Sequence, residues 1–366
     1  MPWEAVRRLL GQAAEQVAPT IVCRVEVGGE VVFEEAYGWL DPERRRVPAS
    51  VDTLFDLASL TKLFTATAFL RLVDQGRVAL DEPVAGALPE CDGEHPILPA
   101  EDPLTKELVQ PDPDWSGRTV DATFITFRRL LTHTSGLHAW KSLYKLRHWP
   151  PHFPMGDAER QARQQEAFQA VCGCPCIYLP GQGYAYSDIG FILLGFAVAR
   201  LAGEEGLDRA ISRLVTEPLG ISAHFNPQPD AWRRAAPTEF CAWRKRRLQG
   251  EVHDENAAGM GGVAGHAGLF ATAADVCRLG RLYLAGGENL LSAELVAESC
   301  REQVRTPEGV RRGLGWLLPS EPNPSCSPAW SPEGFGHTGF TGTSLWCDPE
   351  RDLCVALLTN RVYHGR

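Results

Sequence analysis

The chain has 366 residues, 44% of them hydrophobic and 22% charged, which gives material for a large core in an ordinary globular balance. With 36 basic and 46 acidic side chains the formal net charge is -10, which argues against nucleic acid or an anionic membrane as the main partner. No apolar run is long enough to span a bilayer, and the basic runs at 44–46 and 244–247 are short and read as solvated surface.

The first twenty residues read as an amphipathic helix, with Trp3, Val6, Leu9, Leu10, Ala13 and Val17 on one face. Glu4, Arg7, Arg8, Gln12 and Glu15 interrupt any apolar core there, so no secretory signal is read and a cytoplasmic location is expected. The cysteine count is 11, an odd number that in such a chain predicts reduced thiols. Cys172, Cys174 and Cys176 alternate where a zinc knuckle needs Cys-x-x-Cys, and are expected to be loop thiols.

Two valine-rich runs, 21–27 and 31–39, flank Gly28-Gly29, a hairpin signal. In the stretch 57–70, Leu60, Leu63, Phe64 and Leu70 recur at helical spacing. The first turn of that helix carries Ser59 and Lys62, three apart and therefore on one face. A hydroxyl beside an amine near a helix N-terminus is a candidate nucleophile with its base. Taken alone, the pair reads equally as a cap and a surface lysine.

From 78 to 254 strand alternation is scarce and prolines are frequent, so this part reads as a mostly helical insertion. Residues 90–117 are polar and proline-rich, a long surface excursion. Residues 140–154 are aromatic and basic, a rim or lid in which Trp140, Trp149 and Phe153 either line a pocket or belong to the insertion core. A strongly apolar helix follows at 190–201, with Ser187 or Asp188 placed to cap it. Tyr184-Ala185-Tyr186 ends the preceding loop. A tyrosine hydroxyl there can carry a proton if a nearby ammonium lowers its pKa, or the ring can simply pack at the helix entry.

The segment 259–268 is glycine-dense, which fits close backbone approach rather than a phosphate loop, because no Gly-Lys-Ser/Thr follows. Thr272 with Asp275, and then Ser292, mark two helix starts. Strand-like runs follow at 313–318, 336–346 and 353–358. Within the second, Gly336-His337-Thr338-Gly339-Phe340 reads as an edge-like strand along which a substrate backbone can align, or as a kinked strand with His337 facing solvent. The resulting architecture is α+β. An antiparallel sheet flanked by helices is built from both chain ends (1–77 and 255–366) around the insertion 78–254, with a small-molecule site in the cleft between them.

Ser59-x-x-Lys62, Tyr186-x-Asp188 and His337-Thr338-Gly339, in this order and spacing, resemble the serine β-lactamase and penicillin-binding-protein superfamily. Leu130-Leu131-Thr132-His133-Thr134-Ser135-Gly136-Leu137 and Pro180-Gly181-x-x-Tyr184 resemble its class C-like and esterase-like branch, and the likeness extends over nearly the whole chain. It implies a β-lactamase/transpeptidase-like fold and a serine hydrolase that works without metal or cofactor. Ser59 would form an acyl-enzyme, with Lys62 and Tyr186 sharing general-base and general-acid duty. The N–H groups of Ser59 and Phe340 would bind the oxyanion, beside Thr338 and Gly339. The implied substrate is a small molecule or short peptide, either a carboxylic ester or a D-amino-acid peptide amide. The alternative is a catalytically silent homologue that binds peptide or muropeptide.

The sequence departs from the family at three points. Asp188 stands where the pattern has asparagine, so it either holds Lys62 protonated or turns away as a helix cap. His337 replaces a lysine that can fix a substrate carboxylate. Both changes move the expectation from β-lactams toward esters and small amides. The family usually closes with a helix on the sheet, whereas this sequence stops six residues after Asn360, so a partly uncovered sheet face is expected. His133 is expected to make structural hydrogen bonds, and His253, Asp254 and His266 to belong to a loop near the cleft rather than to a metal set.

Overall fold

The computed structural model describes residues 3–320 and 326–366. Helix α1 (Glu4–Gln16) leads into strands β1 (Thr20–Val27) and β2 (Glu30–Gly38). Gly28 and Gly29 take φ of +60° and +81° and close this hairpin, a backbone shape that glycine adopts without steric cost. The chain then forms α2 (Thr61–Asp74), α3 (Asp157–Cys172), α4 (Asp188–Ala202), α5 (Ala273–Leu284) and α6 (Ala293–Cys300). Six strands follow: β3 (Val304–Arg305), β4 (Arg311–Arg312), β5 (Leu317–Leu318), β6 (Phe335–Thr338), β7 (Ser344–Asp348) and β8 (Leu353–Thr359).

These strands make one antiparallel sheet in the order β3-β4-β5-β6-β7-β8-β1-β2. The first and last parts of the chain meet where β1 pairs with β8, from Ile21 opposite Thr359 to Val27 opposite Leu353. Successive side chains in a strand point to opposite faces, and β1 uses both. Ile21, Cys23 and Val25 pack with Leu10 of α1 and with Leu353, Val355 and Leu357. Val22 faces the main core with Cys354, Ala356 and Leu358 and with Leu279 of α5. Helix α1 covers part of this face, over β1, while Leu353, Val355 and Leu357 stay half-buried and Val31 and Val32 of β2 are exposed, so the sheet is partly uncovered, as expected.

The 336–346 run is two strands rather than one. The Gly339 N–H donates to the Thr343 carbonyl at 2.7 Å, and Gly342 sits at φ +104°, so the chain turns between β6 and β7. Nor is β6 an edge: it lies inside the sheet, paired fully with β7 but with β5 only through Gly336 opposite Leu317. Within 313–318 only Leu317–Leu318 is strand, and β3 and β4 extend the sheet beyond what the sequence suggests. Strands of two residues have no measurable period, which is why they are silent in sequence.

The cysteine expectation is also corrected. Cys91 and Cys172 form a disulfide across 81 residues, because the end of α3 packs beside the turn Pro89–Cys91 and brings the two Cα atoms to 4.4 Å. Cys174 and Cys176 are free thiols in the loop after α3, as expected, and are buried there. The excursion 90–117 carries two short strand pairings, Glu94–Pro96 with Thr119–Asp121 and Ala100–Glu101 with Leu108–Val109. Among the described residues no helix is long and apolar enough to cross a membrane.

Candidate active site

Helix α2 is buried on nearly all sides. Its hydroxyls are absorbed internally, Thr67 Oγ1 donating to the Leu63 carbonyl at 2.7 Å and Thr65 Oγ1 to the Gly265 carbonyl at 2.9 Å. One flank is the glycine-dense loop. A Cβ on Gly265 would lie 2.0 Å from the Phe191 carbonyl oxygen of α4, so the loop can run against that helix only with glycine there. This is the close approach the glycine run predicts.

Ser59 does not lie in the α-helix proper. It sits in the 3₁₀ turn Ala58–Leu60 that leads into α2, behind Ala58 at φ +45°. The turn is pinned from outside. Asp56 Oδ1 accepts the Ala58 N–H at 2.8 Å, and Asp56 Oδ2 the His253 N–H at 2.5 Å. Thr341 Oγ1 donates to the Asp56 carbonyl at 2.8 Å and Thr343 Oγ1 to the Leu57 carbonyl at 3.0 Å. The β6–β7 turn is thereby fixed against the residues before Ser59. Gly339 has no room for a side chain, since a Cβ would come within 2.4 Å of the Leu57 carbonyl oxygen. Sequence reading missed Asp56, Thr341 and Thr343, which join segments 285 and 286 residues apart.

Lys62 is fully buried. Its Nζ donates to Ser59 Oγ at 2.9 Å, to Asp188 Oδ1 at 2.8 Å and to the His266 carbonyl at 3.3 Å. Burial pulls the ammonium pKa down, but the Asp188 carboxylate and then Tyr186 outweigh it and hold Lys62 above its ordinary value. Of the two readings of Asp188, the structure takes the first. Ser187 caps α4 by accepting the Gly190 N–H at 3.0 Å, which leaves the Asp188 carboxylate free to face Lys62.

Tyr186 lies beside Lys62, whose Nζ is 4.8 Å from its ring centroid. Its other neighbours are the His133 ring at 4.5 Å and the His337 ring at 6.1 Å. His133 Nδ1 accepts the Ser187 N–H at 3.0 Å, the structural bond expected of it. His337 is buried, not solvent-facing, with Nδ1 against the Thr338 carbonyl at 2.8 Å. Burial first, then the charges of Arg312 and Lys62, hold both imidazoles well below their ordinary range. Arg312, also missed from sequence, reaches in from β4 and donates from Nε to Tyr184 Oη at 2.9 Å. Nothing in the doublet Arg311-Arg312 marks one arginine as internal.

The Phe340 side chain turns outward and stacks on His253 at 5.7 Å. Its backbone N–H and that of Ser59 donate to no other group among the described residues. His253 pairs with Glu239 at 3.1 Å, and His266 with Asp254 at 3.0 Å. Among the described residues no three His, Cys, Asp or Glu side chains are placed to share a metal ion. Trp149 is exposed, Phe153 packs on the main core, and Trp140 is covered by Lys106 at 3.9 Å from its ring.

A sheet with a buried Ser-x-x-Lys helix beside it defines an α+β fold shared with known hydrolases. EstCE1, described as a hydrolase with promiscuous acyltransferase activity, superposes with a TM-score of 0.73 at 20% identity over 97% of this chain and 93% of its own. Simvastatin synthase from Aspergillus terreus superposes with a TM-score of 0.72 at 20% identity over 98% and 93%. A relative from Salmonella agona (strain SL483), named "Putative D-alanyl-D-alanine carboxypeptidase", is 28% identical over 396 residues, spanning 98% of this chain and 83% of the relative. The Beta-lactamase family model matches residues 6–366, and the chain belongs to that family, as a serine hydrolase.

Proposed function

We propose that the protein hydrolyses a small carboxylic ester or D-amino-acid peptide amide through an acyl-enzyme on Ser59. The observation that carries this reading is the buried Lys62 ammonium, 2.9 Å from Ser59 Oγ and 2.8 Å from Asp188 Oδ1. An ammonium has three protons and no acceptor site. With its pKa held up by Asp188, Lys62 is the donor in this trio and not the base. That leaves Tyr186 as the group that takes the Ser59 proton.

Ser59 Oγ bonds to the carbonyl carbon as its proton passes to Tyr186 Oη. The carbonyl oxygen becomes an oxyanion, met by the unspent N–H groups of Ser59 and Phe340. Fixed donors of this kind are worth roughly 3 kcal/mol each. The carbonyl re-forms, the alkoxide or amine leaves, and Tyr186 returns the proton to it. Water then attacks the ester, gives a proton to Tyr186, and frees the acid as that proton returns to Ser59. Neutral His337 is a poor partner for a substrate carboxylate, which favours uncharged esters over β-lactams. The Cys91–Cys172 bridge favours an oxidising compartment, and so supports the peptide amide as the second substrate class.

A fluorophosphonate probe should add its mass at Ser59 in the folded wild type, and Ser59→Ala should lose both the adduct and turnover of nitrophenyl esters. Folded protein that takes up neither this probe nor a penicillin is a binding homologue instead of an enzyme. A nitrophenyl ester series set against a D-Ala-D-Ala peptide divides the two substrate classes.

A further inference from the structure

Lys62 spends its three protons on three different segments: Ser59 Oγ in the turn before α2, Asp188 on α4, and the His266 carbonyl in the glycine-dense loop. The third acceptor stands on the most pliant backbone of the site. Residues 259–268 include five glycines, and Gly268 takes φ +118°, so little in the stretch restrains its own conformation. Thr65 Oγ1 pins the Gly265 carbonyl and Thr61 Oγ1 the Leu269 N–H. Between those two points His266 is the one side chain able to hydrogen-bond. It is 1% exposed, its Nε2 faces Asp254 Oδ1 at 3.0 Å, and its Nδ1 meets no partner among the described residues. Burial raises the Asp254 carboxyl, but the facing imidazole and the Ala257 N–H outweigh it and keep the group ionised. A carboxylate only accepts, so Nε2 carries the proton of this bond.

Asp254 is itself a fixed post. The same Oδ1 accepts the Ala257 N–H at 2.7 Å and caps the short helix Glu255–Gly259. The residues before it are held from two sides. The His253 N–H donates to Asp56 Oδ2 at 2.5 Å, and the buried Arg244 guanidinium donates to the Val252 and His253 carbonyls at 2.6 Å each. Asp56 also accepts the Ala58 N–H, beside Ser59. The bonds close a ring: from Ser59 to Lys62, to the His266 carbonyl, through the imidazole to Asp254, and by way of His253 and Asp56 back to the Ser59 turn.

We propose that Asp254 and His266 are positioning residues: their bond holds the His266 carbonyl on the third Lys62 proton and so keeps the ammonium aligned on Ser59 Oγ. The inference rests on the reading of Ser59 as the nucleophile. Without the bond, the glycine-rich backbone can carry the carbonyl away and leave Lys62 with a buried, unpaired N–H. The ammonium then moves toward another acceptor and takes its hold on Ser59 with it. A shift of about 1 Å at a reacting group costs about a hundredfold in rate. Neither the Asp254 carboxylate nor the imidazole touches the reacting atoms, so substrate affinity stays as it is.

The test is acylation of the full chain by a nitrophenyl ester, followed as the burst across ester concentrations in two matched pairs of variants. His266→Gln sets its amide N–H where Nε2 stands, whereas His266→Asn sets it where Nδ1 stands and falls short of Asp254. Asp254→Asn keeps Oδ1 for both of its bonds, whereas Asp254→Ser keeps the helix cap but is too short to reach His266. His266→Asn and Asp254→Ser should slow acylation at saturation by about ten- to a hundredfold. Their half-saturating ester concentration should stay within about threefold of the wild type. His266→Gln and Asp254→Asn should keep the rate within about threefold. A loop that is only loosened unfolds more easily in urea and acylates at the wild-type rate. Folded His266→Asn and Asp254→Ser with that rate overturn the inference. So does a His266→Gln as slow as His266→Asn, or a raised half-saturating concentration at an unchanged rate. If one of the two broken variants does not fold, the other decides; if neither folds, the pair serves the fold and the inference is overturned. A wild type that forms no fluorophosphonate adduct at Ser59 overturns the acyl-enzyme reading itself. An ordinary adduct with unchanged variant rates overturns the role of Asp254 and His266 alone.

Discussion

His133 and His337 predict an acid weakness that originates inside the candidate active site. They are 1% and 3% exposed, and Nε2 of each meets no partner among the described residues. Both are held well below the ordinary imidazole range by burial first and by Arg312 and Lys62 after it. In the unfolded chain both titrate near the usual value of about 6.5. Below that pH the unfolded state binds protons that the folded state refuses, so stability is lost as pH falls. Going from about pH 7 to about pH 5.5 should cost about 1 kcal/mol for each ring and about 2–3 kcal/mol for the pair. Carboxylates held below their ordinary range hardly contribute in that window, and Asp56, raised by burial, acts in the opposite direction and cancels when variants are compared. Glu239, for example, is pushed up by burial but held down to about 2 by His253 and Arg366, so its share disappears only between its ordinary 4.5 and that value. His138, partly buried and lowered too, adds in the same direction and cancels when variants are compared. Urea unfolding of the wild type and of His133→Asn/His337→Asn at the two pH values measures the effect. The double variant should be less stable at both, with a pH dependence smaller by about 2 kcal/mol. An unchanged pH dependence refutes the claim that these rings are buried neutral.

Gly339→Ala should lower stability by about 1–3 kcal/mol and slow acylation at least about tenfold, because its Cβ would meet Thr343 Oγ1 at 2.2 Å and the Leu57 carbonyl oxygen at 2.4 Å. Thermal unfolding and the ester burst read the two effects, and wild-type values of both would contradict the packing described. Ala58→Gly should be neutral or stabilising by up to about 2 kcal/mol, where an ordinary helical Ala→Gly costs about 1, since glycine relieves the strain of Ala58 at φ +45°. A full helical penalty in urea unfolding would argue against that backbone conformation. Iodoacetamide under denaturing, non-reducing conditions should label nine cysteines and spare Cys91 and Cys172. Labelling of all eleven, counted by intact mass, would remove the bridge.

The parts legible in sequence were those whose signal is local. The Gly28-Gly29 hairpin, the amphipathic α1 and the apolar α4 follow from spacing within a dozen residues. So does the capping box of Thr272 with Asp275, whose reciprocal bonds are both formed. Ser59 and Lys62 were legible as a pair for the same reason. What the sequence leaves open at Ser187 and Asp188 is which one caps, and packing decides it: Ser187 Oγ also donates to the His138 carbonyl at 2.8 Å, which fixes it at the helix end. Arg312, Asp56, Thr341 and Thr343 were not legible. Each acts across 128 to 286 residues through one side chain, and no periodicity announces such a contact. The disulfide belongs with them, because 81 residues separate its halves.

The bonds that were hardest to read are those that shape the Ser59 turn. A peptide unit is planar, so fixing a carbonyl fixes the N–H on its other side. The Ala58 carbonyl accepts the Thr61 N–H and so points along the helix. The Ser59 N–H, in the same peptide plane, must therefore point back out of the helix end, unspent. Ala58 itself sits at positive φ, which an alanine adopts only against a steric cost of about 1–3 kcal/mol. Four hydrogen bonds meet that cost from outside: two on the Asp56 carboxylate, one each on the Asp56 and Leu57 carbonyls. The Leu57 N–H adds a fifth constraint by donating to the Leu269 carbonyl at 2.9 Å. Because three separate segments supply these partners, the direction of the N–H is set by the fold itself.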